Sequence, residues 1–188
     1  FVLQQFIKYA TVPVINLESA IRHPLQSFTD LMTIRQFQQK AKPKIVLTWA
    51  PHPKALPQAV ANSFLEWMYA ANEEVTITHP KGFELAPEFC FDFPIEYDQE
   101  RALAEADFVY VKNWSSYKDY GKVLNQDSNW MITKAKLGNA KFMHCLPVRR
   151  NVVVEDAVLD SEQSVVIEQA NNRTFSAQVV LKKLLENL

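Results

Sequence analysis

Lys44-Ile-Val-Leu-Thr-Trp-Ala50 is the stretch that decides the fold, because it is apolar almost throughout and hardly alternates. A strand with one face in water alternates apolar and polar residues, whereas a strand covered on both faces does not. The stretch therefore predicts a strand in the interior of a parallel sheet. Pro51-His52-Pro53-Lys54 ends this strand in a stiff loop, and Pro57 suits the first turn of the helix that follows.

Strands and helices alternate along the rest of the chain. Further strands are predicted at residues 14–17, 74–79, 95–98, 108–111, 141–145 and 164–167. Helices are predicted at residues 1–10, 24–37, 57–68, 87–90, 100–105, 130–136 and 156–159, and after residues 171–174. This alternation predicts an α/β fold with a Rossmann-like, doubly wound parallel sheet.

The composition limits what the chain can bind. Of its 188 residues 48% are hydrophobic, enough for a sizeable core, and the formal net charge is −1. Such a balance supplies no general attraction for nucleic acid or a membrane surface, so neither is expected as a partner. No apolar run reaches the roughly 20 residues that a membrane-spanning helix needs.

The cysteines and the chain start give two further expectations. Cys90 and Cys145 lie far apart, and two free thiols in a reducing cytoplasm are predicted in preference to a disulfide. The chain begins at Phe1 inside an apolar helical pattern and contains only three glycines, which predicts a piece of a longer polypeptide.

Polar and charged residues follow the predicted strands. They are Glu18, His52, Lys112 and the cluster from His144 to Arg150. In doubly wound sheets ligands bind beyond the carboxyl ends of the strands, where the strand order reverses. Neither a Gly-x-Gly-x-x-Gly fingerprint nor a Walker A loop is present, so a nucleotide is not the expected ligand. A dinucleotide-dependent oxidoreductase on this fold is therefore a less favoured alternative.

A possible anion site precedes the central strand. His23-Pro24-Leu25-Gln26 opens a predicted helix, where free N–H groups and the helix dipole favour a negative charge. Together with the strand ends, this helix start supplies an excess of hydrogen-bond donors, and Glu18 is the main acid. The donors are Arg149, Arg150, Arg173, Lys112, His23 and His52. The set suits a small ligand that carries phosphate and carboxylate groups, because Arg binds both with paired hydrogen bonds.

The segment Phe142-Met-His-Cys-Leu-Pro-Val-Arg-Arg-Asn151 contains the reactive side chains. His144 and Cys145 are neighbours on a predicted strand and so point to opposite faces, which argues against a nucleophilic dyad. The four His and two Cys of the chain lack the spacing of a metal site. Catalysis is therefore expected to rest on positioning and on stabilisation of an oxyanion.

These residues also have purely structural interpretations. Cys145 can be a small buried apolar residue, and His52 can simply cap its loop. Arg149 and Arg150 can pair with neighbouring acids at the surface. Their convergence on one predicted sheet edge favours a functional role for the group.

Two motifs resemble those of a known family. His23-Pro24-Leu25-Gln26 resembles the His-Pro-x-Gln motif of the aspartate and ornithine carbamoyltransferases, and His144-Cys145-Leu146-Pro147 resembles the His-Cys-Leu-Pro motif of the ornithine branch. The resemblance covers essentially the whole chain and implies the second domain of the carbamoyltransferase fold. It implies that residues 1–26 end the carbamoyl-phosphate domain and form the interdomain helix. Residues 27–170 are then the acylornithine-binding domain, and residues 171–188 a helix that returns to the first domain.

Three further segments, residues 49–54, 60–63 and 112–114, resemble the branch that carbamoylates N-acylated ornithine. The Asp and Ser-Met-Gly pattern of ordinary ornithine enzymes is absent. The acetyl-type enzymes carry a Lys at the position of Val153, so the resemblance favours N-succinylornithine carbamoyltransferases and leaves the N-acetylornithine type as the alternative. It implies carbamoyl transfer from carbamoyl phosphate to the δ-amine of N-succinylornithine in arginine biosynthesis. The implied enzyme is a homotrimer that needs no cofactor or metal.

The resemblance implies a role for each site residue. Carbamoyl phosphate is implied to contact His23, Pro24, Leu25, Gln26, Cys145, Leu146 and Arg173. Within this set His23 meets the carbamoyl oxygen and Gln26 the carbamoyl nitrogen, while Cys145 and Leu146 line the attacking amine; these four are the implied catalytic residues. The acylated amino acid is implied to be held by Glu18, His52, Lys112 and Arg149.

One departure from the family is plain. The family's first domain grips phosphate with a Ser/Thr-x-Arg-Thr loop and further Arg residues, and nothing in this sequence matches that loop. The isolated chain is therefore expected to lack much of the phosphate site. Residues 115–138, which in the family close over substrate, are expected to form a shortened loop. A non-catalytic module that binds a small anionic metabolite is the alternative of another class.

Overall fold

The computed structural model describes residues 2–187, and a parallel sheet runs through the middle of this region. Its five strands lie in the order β3-β2-β1-β4-β5. They are β1 (Ile45–Trp49), β2 (Val75–Thr78), β3 (Ile95–Glu96), β4 (Phe108–Lys112) and β5 (Lys141–Met143). All five residues of β1 are buried, and the strand pairs with β2 on one side and β4 on the other. The predicted α/β fold with a Rossmann-like, doubly wound sheet is confirmed.

Helices connect the strands and cover both faces of the sheet. They are α1 (Val2–Tyr9), α2 (Pro24–Phe37), α3 (Ala59–Ala70), α4 (Pro87–Cys90), α5 (Gln99–Leu103), α6 (Lys134–Leu137), α7 (Asp156–Leu159) and α8 (Val166–Leu185). A short 3-10 helix, Ser128–Trp130, precedes α6. The helices predicted at residues 87–90 and 156–159 are confirmed.

Alternate residues of β1 enter two separate hydrophobic cores. Leu47 and Trp49 pack in one core with Phe64 of α3, and Val46 packs in the other with Phe142 of β5. Each residue of the strand therefore meets apolar partners, whichever way its side chain points. This two-sided burial explains why the β1 sequence is apolar without alternation.

The strand order reverses between β1 and β4. From β1 the chain runs outward to β2 and β3, and then crosses back to β4 and β5. The carboxyl ends of β1 and β4 therefore flank the crevice in which doubly wound sheets bind their ligands. The two ends are held together there, because the Ala50 N–H donates to the Lys112 carbonyl at 3.1 Å.

Helix α2 buries a face that is largely polar. Its buried residues are Gln26, Ser27, Thr29, Asp30, Thr33 and Ile34. Thr29 Oγ1 lies 2.6 Å from Ser176 Oγ of α8, and Asn172 Nδ2 of α8 donates to Thr33 Oγ1 at 3.0 Å. Burial of these two hydroxyl groups costs little, because α8 supplies each of them with a hydrogen-bond partner.

Two of the predicted strands are wrong. Residues 14–17 have no strand partner, and their apolar side chains are largely exposed. Residues 164–167 contribute one bridge, from Ser164 to Phe142, before α8 begins. Short apolar runs do not by themselves distinguish a buried strand from an exposed segment or a helix start.

Helix α1 contains no buried residue. Its apolar side chains include Phe6 and Ile7, which are 65% and 57% exposed. The helix predicted at residues 1–10 is confirmed over Val2–Tyr9, whereas Phe1, like Leu188, lies outside the described residues. No helix within residues 2–187 is both long enough and apolar enough to cross a membrane.

Candidate functional site

His52 lies in the loop that follows β1 and accepts a hydrogen bond from Arg149, in the loop that follows β5. Arg149 Nε donates to His52 Nε2 across 3.1 Å, so the proton of a neutral ring sits on Nδ1, which faces the Lys54 carbonyl at 3.0 Å. Burial, followed by the charges of Arg149 and Lys112, lowers the pKa of His52. A neutral His52 therefore holds the Arg149 guanidinium from one side and leaves its outer N–H groups to other partners.

Lys112 ends β4 at the point where the strand order reverses. Its positive charge contributes to lowering the pKa of His23, His52 and His144, after the larger effect of burial. Within residues 2–187 no carboxylate forms an ion pair with Lys112, Arg149 or Arg173. Cations without a protein counter-ion at a sheet edge suit an anionic ligand.

His23 immediately precedes the first turn of α2, and hydrogen bonds from α3 fix the backbone there. Ser63 Oγ accepts from the His23 N–H at 2.9 Å, and Asn62 Nδ2 donates to the Ile21 carbonyl at 3.2 Å. Burial lowers the pKa of the His23 imidazole, and the Glu18 carboxylate, 3.8 Å from Nε2, opposes that effect. The positive charge of Arg173, on α8, lowers this pKa further.

Glu18 lies near His23, but the segment that carries it differs from the one predicted from the sequence. It follows an irregular, exposed segment instead of a strand, and its side chain is 61% exposed. The structure therefore corrects the reason for its position, while still placing its carboxylate beside the start of α2.

Gln26 lies in the first turn of α2, after Pro24 and Leu25, and is only 2% exposed. Its Nε2 donates to Asp30 Oδ1 at 2.8 Å, and Gln169 Nε2 of α8 donates to the same oxygen at 2.6 Å. Gln169 Oε1 in turn accepts from the His144 N–H at 3.0 Å. This polar bridge joins both motif segments beneath the crevice.

Asp30 and Gln169 are the residues of the site that sequence reasoning missed. Asp30 is four positions after Gln26 on one helix, a spacing that predicts side-chain contact. Gln169 is separated from Asp30 by 139 positions, and it falls next to a stretch that was predicted as a strand. The first residue had a detectable signal in the sequence, and the second had none.

Cys145 and His144 face different surroundings. The Cys145 thiol lies near Tyr110 and Lys112, and burial raises its pKa although Lys112 partly offsets the effect. His144 Nδ1 accepts from the Leu146 N–H at 2.9 Å, inside its own turn. Burial, with a contribution from Lys112, lowers the pKa of His144 to about 3. The pair is thus arranged as a protonated thiol and a neutral imidazole.

Leu146 and Arg150 shape the turn that carries Arg149. Leu146 has a φ of 54° and precedes a cis peptide bond to Pro147. Arg150 donates to Asp156 at 2.8 Å and to Asp160 at 2.6 Å, so its charge is used at the surface. The alternative interpretation of the two arginines as surface ion pairs therefore applies to Arg150, and no such pair involves Arg149 within residues 2–187.

Val153 packs in a hydrophobic core below the Arg149 turn. The residue is 2% exposed, and its N–H donates to the Arg149 carbonyl at 3.0 Å. Val153 therefore supports the backbone of that turn and offers no polar group to a ligand.

A large open cleft lies away from all these residues. It has a volume of about 1750 Å³ and is found at the amino-terminal edge of the sheet. Lysines and carboxylates are mixed in its wall, for example Lys40 beside Asp107 at 2.7 Å. Because the charges there pair with one another, the site at the carboxyl ends is the stronger candidate for binding anions.

Comparison with known proteins gives concordant results. The profile of the family described as aspartate/ornithine carbamoyltransferase, Asp/Orn binding domain, matches residues 57–184. The chain is 53% identical over 192 residues to an N-succinylornithine carbamoyltransferase of Bacteroides thetaiotaomicron and covers 60% of that protein. An N-acetylornithine carbamoyltransferase of Xylella fastidiosa is 33% identical over 97% of the chain, which covers 61% of that protein.

The fold agrees with solved structures of the same kind. A crystal structure of N-acetyl-L-ornithine transcarbamylase superposes with a TM-score of 0.89 at 31% identity, covering 97% of this chain and 63% of the other. A structure of acetylornithine transcarbamylase complexed with acetylcitrulline gives a TM-score of 0.90 at 32% identity, over 97% of this chain and 62% of the other. The chain spans about 60% of the length of the curated relatives it matches. With the family profile matched over more than half of its residues, the chain belongs to the aspartate/ornithine carbamoyltransferase family.

Proposed function

We propose that this chain is the amino-acid-binding part of an N-succinylornithine carbamoyltransferase. The enzyme transfers the carbamoyl group of carbamoyl phosphate to the δ-amine of N-succinylornithine, giving N-succinylcitrulline and phosphate, in arginine biosynthesis. The observation that carries the proposal is the 53% identity over the whole chain to an N-succinylornithine carbamoyltransferase, against 33% to an N-acetylornithine enzyme. The alternative acceptor is N-acetylornithine.

The reaction is a substitution at the carbamoyl carbon. The neutral δ-amine attacks that carbon, the bond to the phosphate oxygen breaks, and phosphate leaves with the proton that the amine loses. Donors that are fixed before the reaction stabilise the oxyanion without reorganising. His23 is assigned to the carbamoyl oxygen and Gln26 to the carbamoyl nitrogen, with Pro24 and Leu25 completing the first turn of α2.

The remaining carbamoyl phosphate contacts come from other elements. Cys145 and Leu146 line the space between the carbamoyl group and the amine, and Arg173 approaches from α8. A thiol whose pKa is raised by burial stays protonated, so Cys145 acts as a wall and weak donor instead of a nucleophile.

The acylornithine site follows from the cations of the crevice. N-succinylornithine carries two carboxylates, and Lys112 and Arg149 are two cations without an ion-pair partner among the described residues. His52 directs Arg149 through its 3.1 Å hydrogen bond. Glu18 lies beside His23 and is assigned to the same substrate. N-acetylornithine, with one carboxylate, would leave one of these cations without a counter-ion.

The domain assignment belongs to the same proposal. Residues 1–26 end the carbamoyl-phosphate domain and link it to residues 27–170, and residues 171–188 return to that first domain. Exposed apolar side chains on α1 and α8, such as Phe6 and Phe175 at 65% and 56% exposure, support a covering partner domain. A homotrimer in the cytoplasm completes the proposal, and light scattering on the full-length protein tests the trimer.

An assay of the full-length protein tests the reaction. Carbamoyl phosphate is supplied with N-succinylornithine, N-acetylornithine or ornithine, and the carbamoylated product is measured. The expected order of kcat/KM is succinyl above acetyl, with free ornithine inactive. Turnover of ornithine alone contradicts the proposed substrate, and turnover of the acetyl compound alone selects the alternative.

A second candidate is a non-catalytic module that binds a small anionic metabolite. The observation behind it is that Lys112 and Arg149 have no ion-pair partner among residues 2–187, which suits an anionic ligand whether or not a reaction follows. Calorimetry on the 188-residue chain with N-succinylornithine decides between them: binding without any turnover in the full-length protein supports the module.

A further inference from the structure

A fully buried polar bridge lies directly behind Gln26, and the proposed function uses none of its inner members. Asp30 of α2 and Gln169 of α8 are both 0% exposed. Gln26 Nε2 and Gln169 Nε2 donate to one oxygen, Asp30 Oδ1, at 2.8 and 2.6 Å. Both donors thus meet the same buried oxygen, and such buried hydrogen bonds hold their groups in place.

The direction of every bond in this bridge is fixed from one end. The His144 N–H can only donate, so the Gln169 atom that meets it at 3.0 Å is the carbonyl oxygen Oε1. Gln169 therefore presents its NH₂ group to Asp30. Asp30 Oδ1 is an acceptor, so Gln26 must also present its NH₂ group. Gln26 Oε1 is then turned away from Asp30, and no hydrogen bond to it comes from residues 2–187.

We propose that Asp30 is a positioning residue that, with Gln169, fixes the Gln26 carboxamide so that Oε1 accepts an N–H from the ligand. The inference rests on the proposed function, which gives Gln26 a ligand with a primary amide. A carboxamide free to rotate offers either an acceptor or a donor. A carboxamide that is fixed by Asp30 offers only its acceptor oxygen. It therefore favours a ligand with an amide NH₂ group over the same ligand with a methyl group in place of NH₂.

The arrangement holds over the working range of pH. Burial raises the pKa of Asp30 to about 6, and its hydrogen bonds from Gln169 and Gln26 limit that rise. Asp30 Oδ2 and the Tyr110 hydroxyl are both buried neighbours without another hydrogen bond among the described residues. A proton on Asp30 is therefore accommodated on Oδ2, beside Tyr110, and Oδ1 remains an acceptor in both states.

The test uses the full-length protein and two phosphonates, phosphonoacetamide and acetonylphosphonate, which differ by NH₂ against CH₃. The readout is the ratio of their dissociation constants, together with the KM values of both substrates. Asp30→Leu removes the acceptor, and we expect it to reduce the preference for phosphonoacetamide by about tenfold or more. Its KM for the acylornithine should stay within about twofold, since no acylornithine contact is lost. Asp30→Asn keeps an oxygen at Oδ1 and should keep the preference.

Thr33→Val is the matched control. It removes the 3.0 Å bond from Asn172 at the same α2–α8 interface without touching Gln26. It is expected to lower thermal stability and leave the phosphonate ratio unchanged. If Asp30→Leu gives no folded protein, Gln169→Leu replaces it, with an expected loss of about threefold in the preference.

The outcomes separate the two proposals. A wild-type protein that does not bind phosphonoacetamide contradicts the proposed function and this inference with it. If the wild type binds phosphonoacetamide but the folded Asp30→Leu or Gln169→Leu variant has the same ratio of dissociation constants, only the positioning role is overturned. An equal loss of preference in Thr33→Val overturns it as well, because the effect would then be one of general loosening.

Discussion

Arg149 and Arg150 are adjacent in sequence, yet their guanidinium groups serve opposite purposes. Arg149 reaches across the crevice to His52 at 3.1 Å, whereas Arg150 is paired with Asp156 and Asp160 on the surface. The second arginine anchors the turn on its outer side, while the first has no carboxylate partner among residues 2–187. Because the two side chains carry the same charge but differ in pairing, substituting each in turn makes a matched comparison.

Arg149→Ala is expected to weaken acylornithine binding selectively. Loss of a charge-assisted hydrogen bond to a carboxylate corresponds to an increase of about 10- to 100-fold in KM for N-succinylornithine. The KM for carbamoyl phosphate should change by less than about threefold, because Arg149 is assigned to the other substrate. Steady-state kinetics with each substrate varied in turn measures both.

Arg150→Ala is the control for that change. Exposed ion pairs contribute little to stability, so a small decrease in Tm and unchanged KM values are expected. Equal losses for both substrates in Arg149→Ala, or a large KM effect in Arg150→Ala, contradict the assigned division of roles.

Cys145 is expected to react slowly with alkylating reagents. Burial raises the pKa of its thiol, and the thiolate is the reactive species. The rate of iodoacetamide labelling at Cys145, followed by peptide mass spectrometry between pH 7 and 10, should still be rising above the pH at which a free cysteine ionises. Cys145→Ser should retain measurable turnover. Fast labelling at pH 7 with a complete loss of activity in the serine variant would point instead to a nucleophilic thiol.

The fold was predictable from the sequence where a residue pattern is compatible with only one kind of structural environment. The β1 stretch is apolar on both faces because two cores meet it, and its position in the sheet followed. Residues 14–17 have a similar apolar run, but no strand lies beside them, and nothing within the run itself reveals this. A local apolar pattern indicates that a segment favours burial. The element that would bury it comes from elsewhere in the chain and cannot be read from the segment itself.

The site was predictable to a similar extent. His23, Gln26, His52, Lys112 and Arg149 could be grouped because strand ends and helix starts meet at one edge of such a sheet. The bond between Gln169 and Asp30 joins positions 139 residues apart, and it depends on α8 packing along α2. A single sequence does not record that approach.

Phe175 is expected to be neutral in the 188-residue chain and important in the full-length protein. Its side chain on α8 is 56% exposed here, so Phe175→Ser should change the free energy of unfolding by less than about 0.5 kcal/mol. If the first domain covers α8, the same substitution should cost about 1–3 kcal/mol in the full-length protein. Urea unfolding of both lengths measures the difference, and equal effects in the two argue against the proposed return of this helix to the first domain.

His144 makes the folded chain sensitive to acid. Burial lowers its pKa from 6.5 to about 3, so between these values the unfolded chain takes up a proton that the folded chain refuses. Stability contributed by the neutral ring is therefore present above pH 6.5 and is lost as the pH falls toward 3, by up to about 5 kcal/mol. His144→Asn keeps an acceptor for the Leu146 N–H and removes the titration.

Asp30 acts in the opposite direction over part of the same range. Its pKa is raised from 3.8 to about 6, so the folded chain holds the extra proton and stability falls as the pH rises through that window. The effect amounts to about 3 kcal/mol and is smaller than that of His144. Between pH 6.5 and pH 4 these two contributions largely cancel, so together they should change wild-type stability only slightly. In His144→Asn stability should instead rise as the pH falls, and in Asp30→Asn it should fall steeply. Urea midpoints at pH 4, 5, 6 and 7 give the three slopes, and parallel curves for wild type and His144→Asn contradict the assignment.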